Sequence, residues 1–306
     1  MKAMSLPQYG TADDLRATDL PEPRVAPGEV LIRVRAAGVN PVDWKHAAGG
    51  LDAIFETRFP LVPGWDVAGV VERVGFDVPE YAPGDEVFGY VRKDWVQNGA
   101  YAEYVSASVR MLAPKPAALS FTEAAGVPLA GLTAYQSLQR IGAGAGDTVL
   151  VHAAAGGVGA FAVQIAVAHG ARVIGTASER NHDFLRSLGA EPVRYGEGLT
   201  DRVRALAPEG VDAALDCVGG DAVDASFALV PKPERVASIT SDEAAARGGH
   251  TVWVRPDAAD LRALADLAEA GGLRVHVAAE FPLDRAPEAW RLSAEGRTRG
   301  KIVLTV

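Results

Sequence analysis

The stretch HAAAGGVGAFA, His152 to Ala162, lies between a short apolar run and a longer one. Counted from Ala154, glycines occupy the third and sixth positions, Gly156 and Gly159, as the dinucleotide-binding fingerprint requires; only the first slot departs, because it holds Ala154. DTVLVHA before the stretch predicts a strand and VGAFAVQIAVAHG predicts a helix. This is the setting in which backbone amides at a helix N-terminus hold a pyrophosphate. Gly156 and Gly157 allow close approach, Gly159 allows tight helix packing, and Val158 starts the apolar helix face. Ala155, Gly156, Gly157 and Val158 are therefore the expected cofactor cradle, and a tight turn without a ligand is the competing reading.

Downstream of this turn, strands and helices alternate. ARVIGTA, VDAALDCV and RVASIT are continuous apolar runs, the texture of strands buried on both faces by crossover helices, and RNHDFLRSLG is helical. A doubly wound parallel sheet is expected, the texture changing near LSFTEAAGVPLAGLTAYQSL, where Ser120 and Glu123 form a capping box. The first 115 residues or so read differently. PGEVLIRVRAAGV, DVAGVVERVG, PGDEVFGYV and AYAEYVSA are short apolar alternations, and Pro27-Gly28 and Pro83-Gly84 each launch one. These predict a β-rich domain, a partly closed barrel. The tail RVHVAAEFPL, APEAWRLSAEG and KIVLTV is assigned to that domain, giving residues 1–117 with 272–306, and 118–271 for the nucleotide domain.

The chain has 306 residues, 48% of them hydrophobic, a length and composition that suit two folded domains. A net charge of −9 argues against a nucleic-acid partner, which needs clustered Lys and Arg. Cys217 is the one cysteine, so neither an intrachain disulfide nor a cysteine-built zinc site is expected. MKAMSLPQYG lacks a signal-peptide core and no apolar run suits a membrane span, which leads to an expected cytoplasmic location.

A strand that ends in Asp or Glu after the fingerprint binds the ribose hydroxyl of NAD; a basic residue suits the 2'-phosphate of NADP. Here the strand ends TASERN. Ser178 is neutral and Arg180 offers a guanidinium, so NADPH is the expected cofactor, with Glu179 as a complication.

These residues, together with NPVDWK (Asn40 to Lys45), PGWDVAGVVE (Pro63 to Glu72), GAYAEYV, AGLTAYQSL and RGKIVLTV, resemble the medium-chain dehydrogenase/reductase superfamily, in its zinc-independent quinone oxidoreductase branch. The resemblance covers nearly the whole chain. It implies an α/β protein with a GroES-like, partly open β-barrel catalytic domain and a Rossmann nucleotide domain. It also implies that Thr133 approaches the nicotinamide half, that Tyr195 lies on the adenosine side, and that Cys217, Val218 and Ile239 face the cofactor from strand ends. In the superfamily's zinc alcohol dehydrogenases, a Cys and a His hold catalytic zinc at positions that match Asn40 and Trp65, and no metal is expected here.

Hydride transfer to a quinone or enone places negative charge on the carbonyl oxygen, which a few hydrogen-bond donors stabilise. Asn40 is the candidate donor, Lys45 the candidate enolate partner or proton source, and Asp43 the residue that orients Lys45. A loop asparagine and a surface Asp/Lys pair are the plain alternatives. Trp65 and Trp253 are candidate flat walls for a planar acceptor, Trp253 the better placed at a strand's carboxyl end. The expected activity is NADPH-dependent reduction of a small quinone or α,β-unsaturated carbonyl. An enoyl-thioester reductase and an NADPH-binding sensor or structural protein are the competing readings. GHTVWVRP resembles the edge strand that pairs across a twofold axis in the superfamily, hence an expected homodimer.

Overall fold

A computed structural model describes residues 1–306. The chain forms two compact units, Ala130–Arg255 and the combined segments Met1–Leu129 and Pro256–Val306.

In the first, strands Thr148–Val151, Arg172–Ala177, Ala190–Arg194, Ala213–Asp216, Val236–Ser238 and His250–Thr251 make one parallel sheet. Numbered along the chain, their order across the sheet is 3-2-1-4-5-6. This is the Rossmann arrangement, in which the order reverses beside the first strand and ligands bind at the strands' carboxyl ends. Helix Gly157–Ala168 follows the first strand and is buried from Gly159 to Ala166, as a helix apolar on all sides must be. Leu150, Ile174, Val203, Ala214 and Val236 fill a core between the sheet and its helices; burying each Leu, Ile or Val contributes about 1.5–3 kcal/mol. GHTVWVRP forms strand only at His250–Thr251, and these two residues are the sheet's edge.

The second unit is organised by Glu29–Val39, eleven residues long. One side pairs with Asp66–Val74 along its length, with two register shifts that bend the ribbon. The other side is shared: Arg33 to Glu29 pair with Tyr104–Ser108, and Ala36 to Val39 pair with Lys301–Thr305. Val277–Pro282 lies parallel outside Lys301–Thr305, while Glu86–Tyr90 and Leu112–Pro114 extend the far side. Helix Ala258–Glu269, which the sequence reading places in the nucleotide domain, packs on Leu112–Pro114 and is capped by Asp257, whose carboxylate accepts from Ala259 N and Asp260 N. Ser120 and Glu123 close the capping box of helix Phe121–Ala125 by reciprocal bonds of 2.8 and 3.2 Å.

Candidate active site

The nucleotide turn is built by the end of Thr148–Val151 and tied to the neighbouring strand. Ala153 N donates to Thr176 Oγ1 at 3.1 Å and Ala154 N to Thr176 O at 2.9 Å. Ala153 has φ of +49°, so the left-handed residue of the turn is Ala153, while Ala154, in the slot of the missing glycine, carries no such strain. Gly159 is sterically required: a Cβ there would stand 2.3 Å from Ala153 O and 2.7 Å from Ala154 Cα. The first intrahelical bond runs from Ala160 N to Gly156 O, which leaves the amides of Gly157, Val158 and Gly159 at the positive end of the helix, suited to a pyrophosphate. Beneath the turn, Ser226 Oγ gives its hydrogen to Ala222 O, so His152 Nε2 is the donor in its 3.0 Å bond to that hydroxyl. Burial lowers the His152 pKa to about 4 against the pull of Asp216, so this histidine is neutral scaffolding.

Ser178 and Arg180 follow the second strand, Ser178 half-buried at the head of the turn Glu179–Asn181 and Arg180 exposed. Tyr195 is exposed one residue beyond the third strand. The sequence reading missed Arg194, whose Nη1 lies 3.5 Å from Glu179 Oε1, and Arg202, whose guanidinium donates to the carbonyls of Arg194, Tyr195, Gly196 and Glu197.

Asp216, fully buried at the end of the fourth strand, is a further residue the reading missed. Its oxygens accept from Val218 N at 2.8 Å, Gly219 N at 3.0 Å and Ser238 Oγ at 2.7 Å, which sets the backbone that carries Cys217 and presents Val218 to solvent. Burial and Asp216 push the Cys217 thiol well above its ordinary range, away from nucleophile chemistry. Ile239 N donates to Asp216 O, Thr133 is buried, and Trp253 is half-exposed beyond the short edge strand.

In the other unit, Asn40 and Pro41 start the helix Pro41–Ala47. Asn40 is buried, and its amide is held at both ends: Oδ1 accepts from Lys301 Nζ, and Nδ2 donates to Asp66 Oδ2 at 2.8 Å. Asp66 Oδ1 accepts from Leu129 N at 2.8 Å. Gly38 lets its strand approach both helix Phe121–Ala125 and Asp66, since a Cβ there would stand 2.4 Å from Ala125 O and 2.9 Å from Asp66 Cβ. Asp43 Oδ2 accepts from Asn40 N at 2.8 Å and Tyr101 OH at 3.0 Å, and Trp290 Nε1 donates to that phenol at 3.3 Å. Asp43 and Lys45 do not pair. Positions i and i+2 of a helix face apart, so Asp43 is buried while Lys45 is exposed with its ammonium 5.5 Å from the Trp44 ring centre.

Burial raises the Asp43 pKa to about 7 and that of Asp66 to about 6, with Lys301 opposing the rise at both sites. Burial also lowers Lys301 against the pull of the two carboxylates. Trp65 is not an open wall: it is buried with His46, Phe55 and Tyr90 at ring-centre distances of 5.8 to 6.1 Å. Around it, His46 Nδ1 is a buried polar atom without a hydrogen-bond partner, and Arg92 lies against the Tyr90 and Phe55 rings.

Two family models match the chain, the alcohol dehydrogenase GroES-like domain over residues 26–117 and zinc-binding dehydrogenase over residues 188–304. The quinone oxidoreductase of Coxiella burnetii superposes with a TM-score of 0.88 at 35% identity, covering 100% of this chain and 99% of that one. The chloroplastic NADPH-dependent alkenal/one oxidoreductase of Arabidopsis thaliana is 33% identical over 99% of this chain and 79% of its own length. A mycobacterial protein solved in complex with NADPH is 30% identical, with a TM-score of 0.84 and 100% of both chains covered. Fold and site together define a dehydrogenase/reductase of the medium-chain type. The chain belongs to that family, in its zinc-independent, quinone oxidoreductase-like branch.

The zinc in one family description does not fit the residues present. Asn40 and Trp65 stand where the resemblance puts the Cys and His ligands, the Asn40 amide is already bonded at both ends, and no group of three His, Cys, Asp or Glu side chains is placed to hold a metal.

Proposed function

We propose that the protein is a zinc-independent reductase that uses NADPH to reduce a quinone or the conjugated C=C bond of an α,β-unsaturated carbonyl compound. The observation that carries this reading is that the chain holds both a strand-turn-helix with its helix N-terminus at Gly156–Gly157 and an asparagine fixed between Lys301 and Asp66, at a position that the resemblance gives to a zinc ligand. The names of the relatives, quinone oxidoreductase and alkenal/one oxidoreductase, support the substrate class.

Bound NADPH supplies a hydride. In this reading Ala155, Gly156, Gly157 and Val158 hold the pyrophosphate, Ser178 and Arg180 the 2'-phosphate, and Tyr195 the adenosine. Thr133, Cys217, Val218, Ile239 and Trp253 flank the remainder. Negative charge develops on the acceptor's carbonyl oxygen, and a preorganised donor stabilises it. An amide nitrogen carries two hydrogens; Asp66 takes one from Asn40 Nδ2 and the other serves the acceptor. Asp43 fixes the Asn40 backbone, and the exposed ammonium of Lys45 supplies the proton.

We further infer a homodimer along the His250–Thr251 edge, whose outer backbone groups have no partner strand within the chain, and a cytoplasmic location, which suits a chain with one cysteine. No helix is long and apolar enough to cross a membrane. The test is a screen of NADPH oxidation against quinones, enones and simple alcohols with a chelator present. Turnover of conjugated acceptors alone is expected. Activity that disappears with chelator and returns with zinc would overturn the proposal.

A further inference from the structure

Where strands Arg172–Ala177 and Ala190–Arg194 end side by side, Ala177 is in register with Arg194, so the segment Ser178–Arg180 leaves the sheet beside Arg194 and Tyr195. Arg180 is exposed, and its side chain makes no hydrogen bond or ion pair within the chain. Arg194 and Glu179 form a long contact, 3.5 Å, with 67% and 73% of their side chains exposed. An exposed pair of that length is weak in water, so Arg194 is available to a better partner.

Resting on the reading that the cofactor is NADPH, we propose that Arg194 is a second specificity-determining cation for the 2'-phosphate and that Glu179 is its resting partner. A phosphate offers a guanidinium two parallel, charge-assisted hydrogen bonds, which a 3.5 Å contact with one carboxylate oxygen does not. Arg180 and Arg194 outnumber Glu179, so this end of the sheet favours a dianion that Glu179 alone would repel. The base of Arg194 is also fixed. Arg202 donates to four successive carbonyls from Arg194 to Glu197, so the loop is ordered before the ligand arrives and less entropy is lost on binding. Arg202 is thereby occupied and is not itself a phosphate ligand.

Calorimetric titration of the intact protein with adenosine 2',5'-bisphosphate and with 5'-AMP tests this. The wild type is expected to prefer the bisphosphate. Arg194→Gln should weaken the bisphosphate about tenfold and leave 5'-AMP unchanged, the loss expected for one charge-assisted contact. Glu179→Gln should tighten the bisphosphate, a gain that misfolding does not imitate. A wild type without preference would overturn the NADPH reading and this inference with it. A wild-type preference that survives in Arg194→Gln, or a variant that loses both ligands equally, would overturn the role of Arg194 alone.

Discussion

Lys301 Nζ donates to Asn40 Oδ1 while Asn40 Nδ2 donates to Asp66 Oδ2 at 2.8 Å, so one asparagine amide is oriented by a buried cation at its oxygen and a buried carboxylate at its nitrogen. Neither end can flip without losing both partners. Asn40→Ala should lower kcat by about ten- to a thousandfold, the range for loss of one preorganised donor. Steady-state kinetics with a quinone or enone checks this, and a change confined to KM would limit Asn40 to binding.

Removing the cation is predicted to act on stability. Lys301→Met removes the donor to Asn40 Oδ1 and the buried charge that opposes the rise of the Asp66 pKa, and leaving a buried acceptor without its partner costs about 1–3 kcal/mol. Denaturant unfolding of the variant against wild type reads the loss directly. A variant as stable as wild type would show that the network is not electrostatically tight.

Stability should fall as pH rises through the range set by Asp43. Its folded pKa, about 7, lies above the ordinary 3.8, so its contribution is full below 3.8 and is lost as pH climbs through about 7. Asp66, raised to about 6, has the same sign. His152, lowered from 6.5 to about 4, has the opposite one: its contribution is present above 6.5 and lost as pH falls through about 4. Asp43→Asn should therefore flatten the decline between pH 4 and 7 relative to wild type. Unfolding midpoints across pH for both proteins decide it.

The turn makes a paired prediction. Ala153→Gly should be neutral or stabilising by up to about 1 kcal/mol, because relief of left-handed strain offsets glycine's extra chain entropy. Gly159→Ala forces a methyl against Ala153 O and should cost about 1–3 kcal/mol and weaken NADPH. Thermal unfolding with and without cofactor separates the two.

Arg180→Ala should weaken NADPH by about 1.5–3 kcal/mol and leave NADH nearly unchanged, as loss of a charge-assisted phosphate contact requires. Equal weakening of both cofactors, measured by titration, would transfer the preference to Ser178.

The fold was legible because it is written in local pattern. Continuous apolar runs, the strand-turn-helix at His152 to Ala162 and the Pro-Gly turns are readable over short windows. The buried network was not. Asp66 stands inside PGWDVAGVVE and Lys301 at the start of KIVLTV, and each alone reads as a polar residue at a strand end. Their burial depends on Ile302 pairing with Val39 and Asp66 lying opposite Gly38, relationships between distant segments. Opposite charges embedded in two apolar runs were the available signal. The turn misled in a second way: residue types located the missing glycine at Ala154, whereas the strained dihedral falls on Ala153.

The long strand Glu29–Val39 shares one side between two partners that are far apart in the sequence, Tyr104–Ser108 and Lys301–Thr305, and Lys301 is 261 residues from Asn40. The segment between them contains Ala130–Arg255, a continuous unit with a core of its own, which is expected to fold as a unit before the later strands are in place. Asp66 and Asn40 must wait for Lys301. Until the last strand docks, the Asp66 carboxylate has no cation to offset its burial, which favours a hydrated Asp66 at that stage. Completion of this site is thus expected to follow formation of the nucleotide unit, and chains truncated before Lys301 should retain a folded nucleotide unit beside an unfinished barrel.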